Sequence, residues 1–314
     1  MRVLLLALLL AALPAAALER VHFLIPAGPG GGLDSTARAL GAAMAEAKLV
    51  ERASFENMTG GGGGRAMSHL IETAPRQQDT LMVNSTPLLV RSLQGLFPHT
   101  WRDLVPIAGL IAESSVIAVR SDSPFGDFAS LRRQLLDSPG ALTVGGGSVR
   151  GSFDHVALAM MLEPTGIAPR ALRYLPYDGG GKAMLALLGG EIDVLSTGLG
   201  EVLGYVASGD VRVLAISSSV RNPALPDVPT LTELGFPVEV SNWRGVFAAP
   251  GTPEAQIAAL SAAVQAATAT ESWREALARY GWAPQLLEGD AFARYLEQQE
   301  AQLARAMREL GFIR

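Results

Sequence analysis

Two spacings of apolar residues take turns along most of this chain. "VHFLI" (21–25) is a short apolar run of strand type. The glycine- and proline-rich "PAGPGGG" follows, and then "LDSTARAL", whose apolar positions recur at helical spacing from a start near Asp34–Ser35. The same order returns in "ASFENMTGGGGGRAMSHLIETA" (53–74), "TLMVNSTPLLVRSL" (80–93), "ALTVGGGSVRGSFDHVALAMMLEPTG" (141–166), "LRYLPYDGGGKAMLALLGG" (172–190) and "EIDVLSTGLGEVLGYVASGD" (191–210). Thr86–Pro87 supplies a capping hydroxyl and a proline at the first helical position, and Ser152 is a candidate N-cap. Strands alternating with helices predict an α/β fold of parallel sheets covered on both faces. Six such junctions predict two sheets. Ligands of open α/β sheets bind beyond the carboxyl ends of the strands, which is where these glycine loops lie. Two further β-rich runs, "SSVIAVRSDSP" (114–124) and "VSNWRGVFAAPGTP" (240–253), are the expected crossings between two domains. "AQIAALSAAVQAATA" and "AFARYLEQQEAQLARAMREL" predict amphipathic helices near the C-terminus.

The first residues break this pattern. "MRVLLLALLLAALPAAALER" has a basic Arg2, an apolar run to about Leu13 and an Ala15–Ala16–Ala17 site, as a secretory signal peptide does. The apolar run is short of the roughly 20 residues of a spanning helix, so cleavage after Ala17 and release into the periplasm are expected. Length then sets the core: 314 residues, 49% hydrophobic and 18% charged, are enough for one large or two medium domains. There is no cysteine, which excludes disulfides, thiolate metal sites and a lipidated N-terminal cysteine. Without the leader the chain carries 24 basic and 30 acidic residues, a net charge near −6. Lysine is nearly absent and the arginines are scattered, so no nucleic-acid partner is expected.

Catalytic motifs fail one after another. Leu33 stands where G-x-G-x-x-G needs its third small residue. "DGGGKA" has Pro176 in place of the first phosphate-loop glycine and Ala183 in place of the Mg²⁺-binding hydroxyl. "GGSVR" has Arg150 where a nucleophile elbow has glycine. His22, His69, His99 and His155 show no metal-ligand spacing. No catalytic residue, metal or cofactor is expected, although an exported α/β enzyme acting on an anionic metabolite stays open as an alternative. What remains is polar loop chemistry: Ser35, Thr36, Ser85, Thr86, Ser148, Ser152 and Thr197 beside glycines and helix starts. Hydroxyls and backbone amides of this kind bind oxyanions, most readily at a helix N-terminus.

At these segments the chain resembles the extracytoplasmic solute receptors of tripartite tricarboxylate transporters, the Bug family. "FLIPAGPGGGLDSTARAL" looks like that family's first strand, ligand loop and helix, and "NMTGGGGGRA" like its second glycine loop. "GSVRGSFDHVALAMM", "LPYDGGGKAMLALLGGEIDV" and, most specifically, "VRVLAISSSVRNPALPDVPTLTELG" continue the likeness over nearly the whole mature chain. The resemblance implies a two-lobed periplasmic binding protein of type II-like form, each lobe a mostly parallel sheet flanked by helices, with the ligand cleft between lobes. Residues 18–120 plus 242–314 are expected as one lobe and 121–241 as the other. It further implies a monomer that captures a small organic carboxylate for the membrane subunits of a transporter; the same closure would also serve a sensor.

Carried over residue by residue, the first ligand group is Ala27, Gly28, Gly30, Asp34 and Ser35, flanked by Ser85 and Thr86. The second is Ser148, Gly151, Ser152 and His155, with Gly179 and Gly180 nearby; Arg150 and Thr197, which depart from the family's pattern, are added as candidates in the same loops. On this reading the glycines after the first strand make room for a carboxylate, and Arg150 faces the cleft to pair with it. The departures are Pro29 and the long first glycine run, Thr59 in place of proline, Asp178 where lysine is common, and Thr197 where aspartate is frequent. Arg150 lies inside the second loop, and Arg244 follows Trp243 where a second aromatic is common.

Overall fold

A computed structural model describes residues 17–314; of the expected leader, all but Ala17 lies outside the described residues. The chain runs through β1 (Leu18–Ile25), α1 (Gly32–Glu46), β2 (Val50–Asn57), α2 (Gly64–Glu72), β3 (Thr80–Ser85), α3 (Pro87–Leu93) and β4 (Val105–Arg120). It continues with α4 (Phe128–Asp137), β5 (Thr143–Gly146), α5 (Phe153–Leu162), β6 (Arg173–Pro176), α6 (Gly180–Leu188), β7 (Val194–Gly198), α7 (Leu203–Ala207) and β8 (Val211–Ile216). It returns through β9 (Ser241–Ala248), α8 (Glu254–Thr268), α9 (Glu271–Tyr280), β10 (Ala283–Glu288) and α10 (Gly289–Glu309).

Strand β4 joins the two lobes. From Val105 to Ser114 it pairs with β9, and on its other side with β10; from Ser115 onward it pairs with β7 and β8. The return strand lies beside this change of partners, where the Ser115 N–H donates to the Val240 carbonyl and Ser114 faces Ser241. Strand β4 thus changes partners at 114/115, and the return crossing lies beside it at 240/241. The turn residues after Arg120 end β4, whose last residues pair with β8.

Both sheets are mixed. The expected parallel pairs are there: β1 with β2 and β3 in the first lobe, and β5 with β6 and β7 in the second. Around β4 and β9 the pairing is antiparallel, because these strands carry the chain out and back between lobes. Helices cover both faces of each sheet. In the first lobe, one face packs Leu40, Ala43 and Met44 of α1 with Leu260 and Val264 of α8; the other packs Met67, Leu70, Leu296 and Met307. Alanine and leucine at three- and four-residue spacing make those faces, as the sequence pattern predicts. Phe292 anchors α10 on the crossing strands. A Cβ at Gly109 of β4 or Gly245 of β9 would come within 2.9 Å of its ring, so glycine on neighbouring strands makes the flat seat it needs. Trp243 meets the same ring edge-on at 5.7 Å.

Candidate functional site

Strand ends and helix starts from both lobes meet around a cavity of about 170 Å³. The first lobe contributes Ala27 and the opening of α1 at Gly31, Gly32 and Leu33, with Ser85 from the end of β3. The crossing strands contribute Glu113 and Arg244, and Asn242 lies beside them. The second lobe contributes Gly147 and Ser148 after β5, Asp154 in the first turn of α5, the opening of α6 at Gly179 and Gly180, and Gly198 and Glu201 after β7. Gly31 and Gly179 are the N-caps of α1 and α6, and no side chain caps either helix. The first amides of both are thus left as uncapped donors at the cavity wall.

Charge in this cavity is buried and unequally shared. Arg244 Nη2 and Glu113 Oε2 form an ion pair, with the two side chains only 4% and 3% exposed. The other Glu113 oxygen accepts from the Gly200 N–H at 3.0 Å and from Trp282 Nε1 at 3.2 Å. Arg244 also lies over the Trp282 ring, 5.1 Å from its centre. Its Nη1, however, is buried without any partner. A guanidinium N–H left unpaired in this way is costly unless something else accepts from it. Gly32 is what admits the side chain: a Cβ there would lie 2.6 Å from the Arg244 guanidinium carbon.

Two further acids, Asp154 and Glu201, line the same cavity. Burial, and next the charge of Glu201, push the Asp154 carboxyl up to about 7, against hydrogen bonds from Ser148 and Gly147. Burial, and next the charge of Glu113, also raise Glu201, whose carboxylate accepts from the Thr197 hydroxyl. An acid raised above its unfolded value contributes stability below that value and loses it as pH rises through the folded one. The penalty from Asp154 therefore accrues between about pH 4 and 7. Asp154→Asn is expected to leave the melting temperature nearly unchanged at pH 4 and to raise it by several degrees at pH 8. Thermal unfolding at the two pH values checks this, and an equal difference at both contradicts it.

The residues expected to bind ligand divide into three sets. Ala27, Ser85, Ser148, Gly179 and Gly180 line the cavity. Gly30, Asp34 and Ser35 lie instead in a groove between α1 and α9, on the outer side of the first loop. Asp34 is occupied there, accepting from the Gly30 N–H at 2.9 Å, Asn57 Nδ2 at 3.0 Å and Arg38 Nε at 2.9 Å. Burial alone would raise its carboxyl, but Arg38, Gly30 and Asn57 together hold it below the usual range. It braces the loop. Gly28 is outside the cavity wall and a Cβ there would meet nothing, so room beside the first helix is made by Gly31 and Gly32. Thr86 is buried, its hydroxyl accepting from the Trp243 N–H at 3.2 Å, which ties α3 to β9.

The third set faces another hollow. Arg150 and His155 line a space with Arg170 and Phe312, away from the cavity between lobes. Arg150 donates to the Tyr174 carbonyl. His155 stacks on Tyr174 at 4.1 Å and accepts from the Gly151 N–H at 3.0 Å; burial, and next Arg150, lower it to about 4, so it is neutral. Gly151 has φ +79°, and this left-handed turn separates Arg150 from the side of the loop that Ser148 presents. The Gly151 carbonyl accepts from Gln94 Nε2 of the first lobe at 2.7 Å, and Arg170 Nε donates to the Leu310 carbonyl at 3.0 Å. This side of the molecule fastens the lobes together. Ser152 is the N-cap residue of α5 without a capping bond; the Ser148 hydroxyl accepts from the Asp154 N–H instead. Thr197 reaches the cavity only through Glu201.

Sequence reasoning missed Glu113, Asp154, Glu201 and Asn242, and noted Arg244 only as a departure. The available signal was charge inside or beside apolar strand runs, in "LIAESSVIAV" and "NWRGVF".

Known proteins share the fold. Residues 36–312 match the family described as the tripartite tricarboxylate transporter family receptor. A UPF0065 protein encoded between tcbD and tcbE in Pseudomonas sp. strain P51 is 32% identical over 265 residues, covering 83% of this chain and 77% of the relative. Among solved structures, a TctC solute-binding protein from Polaromonas without ligand is 28% identical with a TM-score of 0.69, covering 92% of this chain and 98% of its own. MatC from Rhodopseudomonas palustris with bound malate is 25% identical with a TM-score of 0.80, covering 91% and 98%. Among the described residues no helix is long and apolar enough to cross a membrane.

Proposed function

Because the chain belongs to the tripartite tricarboxylate transporter receptor family, we propose that it is a periplasmic receptor, without catalysis, that captures a small organic carboxylate and delivers it to the membrane subunits of such a transporter. The carrying observation is Arg244: its buried Nη1 has no partner, and the residue lines the cavity beside the uncapped start of α1. A carboxylate oxygen placed there accepts from the guanidinium and from the first helical amides at once, and charge-assisted bonds of this kind are about twice as strong as neutral ones. The malate bound to MatC is of the expected chemical class. Residues 115–240 then close over the ligand as one lobe, since both crossings lie at a single hinge.

A ligand that binds only the folded protein stabilises it by about 2.7 kcal/mol at a hundredfold excess over Kd. A panel of small organic acids is therefore expected to contain members that raise the melting temperature by several degrees. The same members should reduce the radius of gyration in solution scattering. A panel without any shift overturns the reading.

A further inference from the structure

We propose that the hollow lined by Arg150, His155 and Arg170 is a second ligand site, and that it takes a soluble phosphate monoester with an apolar or aromatic body. It stands on its own geometry, whatever the cavity at Arg244 holds.

The hollow measures about 320 Å³. Arg150, His155 and Arg170 are the polar side chains of its lining, and no acid stands among them, in a chain whose acids outnumber its bases. Neither arginine has an ion-pair partner among the described residues. Each donates once to a backbone carbonyl, Arg150 to Tyr174 and Arg170 to Leu310. Those bonds fix the two guanidiniums and leave the other donors of each fork unspent. Arg170 is held from a second side as well. Gly311 has φ +73°, and a Cβ there would run into the Arg170 guanidinium, so glycine makes the seat on which that plane rests. His155 adds a third donor. Its Nδ1 accepts from the Gly151 N–H at 3.0 Å, so the neutral ring carries its proton on Nε2.

The remaining wall is apolar. Leu172 belongs to the second lobe, and Leu310 and Phe312 come from the end of the chain, on the first. The Phe312 ring meets His155 edge-on at 4.9 Å. A few convergent donors set in an apolar wall are the usual form of a small-molecule site. One carboxylate answers one guanidinium fork and leaves the other unmatched. A phosphate monoester carries close to two charges and three acceptor oxygens, enough for both forks and the imidazole. Its ester group then lies against Leu310 and Phe312, so that the headgroup rests on one lobe and the body on the other.

The test is calorimetry on the mature protein at pH 8, where the phosphate is doubly ionised. Phenyl phosphate is expected to bind at least about tenfold more tightly than benzenesulfonate, which has the same ring and one charge, and than inorganic phosphate, which has no body. With folding checked by thermal unfolding, Arg150→Gln and Arg170→Gln should each weaken phenyl phosphate about tenfold or more. Arg150 is exposed, so its variant keeps the test open should the other fail to fold. Gly31→Val adds bulk at the wall of the cavity between the lobes and should leave phenyl phosphate binding unchanged. Vesicles containing phosphatidic acid, whose tails stay in the bilayer, should not compete. No binding of phenyl phosphate, binding that survives both arginine variants, or binding lost in Gly31→Val overturns the inference. Competition by the vesicles would assign the site to a membrane surface and overturn the soluble ligand.

Discussion

Arg244→Ala is expected to lower the stability of the protein by about 3–5 kcal/mol, the range for breaking a buried ion pair from one side. For a chain of this size that is a fall in melting temperature on the order of 10 °C. The reason is what stays behind. Glu113 keeps the Gly200 N–H and the Trp282 indole, but its charge remains almost fully buried with no cation. Lysine should rescue poorly, because the site uses a planar fork laid over an indole and a point charge cannot reproduce it. Adding Glu113→Gln to Arg244→Ala should recover part of the loss, since the stranded charge goes with it. Urea and thermal unfolding of the three variants measure this. A single variant within 2 °C of the parent would show that the pair is not formed in solution. The same variant should also abolish any ligand-induced shift, through loss of Nη1.

The second large effect is expected at Gly147. A Cβ there would lie 2.6 Å from the Gly180 Cα and 2.7 Å from the Gly179 carbonyl carbon, and the Gly179 N–H donates to the Gly147 carbonyl at 2.9 Å. These are backbone atoms, which cannot rotate aside. Gly147→Ala must push the start of α6 away from the loop after β5, at a cost typical of overpacking, about 1–3 kcal/mol. Because the displaced residues line the cavity, ligand response should be lost even where the variant remains folded. Gly28→Ala is the control: open space surrounds that position, so stability and ligand response should both persist. A Gly147→Ala protein that binds like the parent would mean that this loop does not touch ligand.

The alternation of strand, glycine loop and helix was legible because each junction is local. Thr86–Pro87 and the glycines before α1 and α6 announce helix starts within a few residues. The cavity's charges were not legible, because their meaning depends on convergence. Glu113 and Arg244 are 131 residues apart, and only antiparallel pairing of β4 with β9 brings them together. Arg150 and Asp34 show the opposite case. Arg150 sits in a loop and Asp34 in the first turn of α1, and both segments border the cavity, so sequence proximity suggested contact with ligand. A left-handed glycine next to Arg150, and three hydrogen-bond donors around Asp34, turn these side chains to other work. A loop's position can be read from spacing; the direction of one side chain on it cannot.

Strand β4 passes through the hinge as continuous β structure, while its ladder with β9 ends there, at Ser114 opposite Ser241, with one further bond from the Ser115 N–H to the Val240 carbonyl. A single continuous strand, laddered to its return partner on the first-lobe side, flexes across its broad face like a leaf spring. The ladder resists sliding of β4 past β9, which would break it. On the proposed closure, the second lobe is therefore expected to travel along little more than one arc. Its loops must arrive at α1 in the same register at each closure, whatever solute lies between. Discrimination then resides in whether a solute lets the arc run to its end. That makes selectivity a property of a trajectory rather than of adaptable loops.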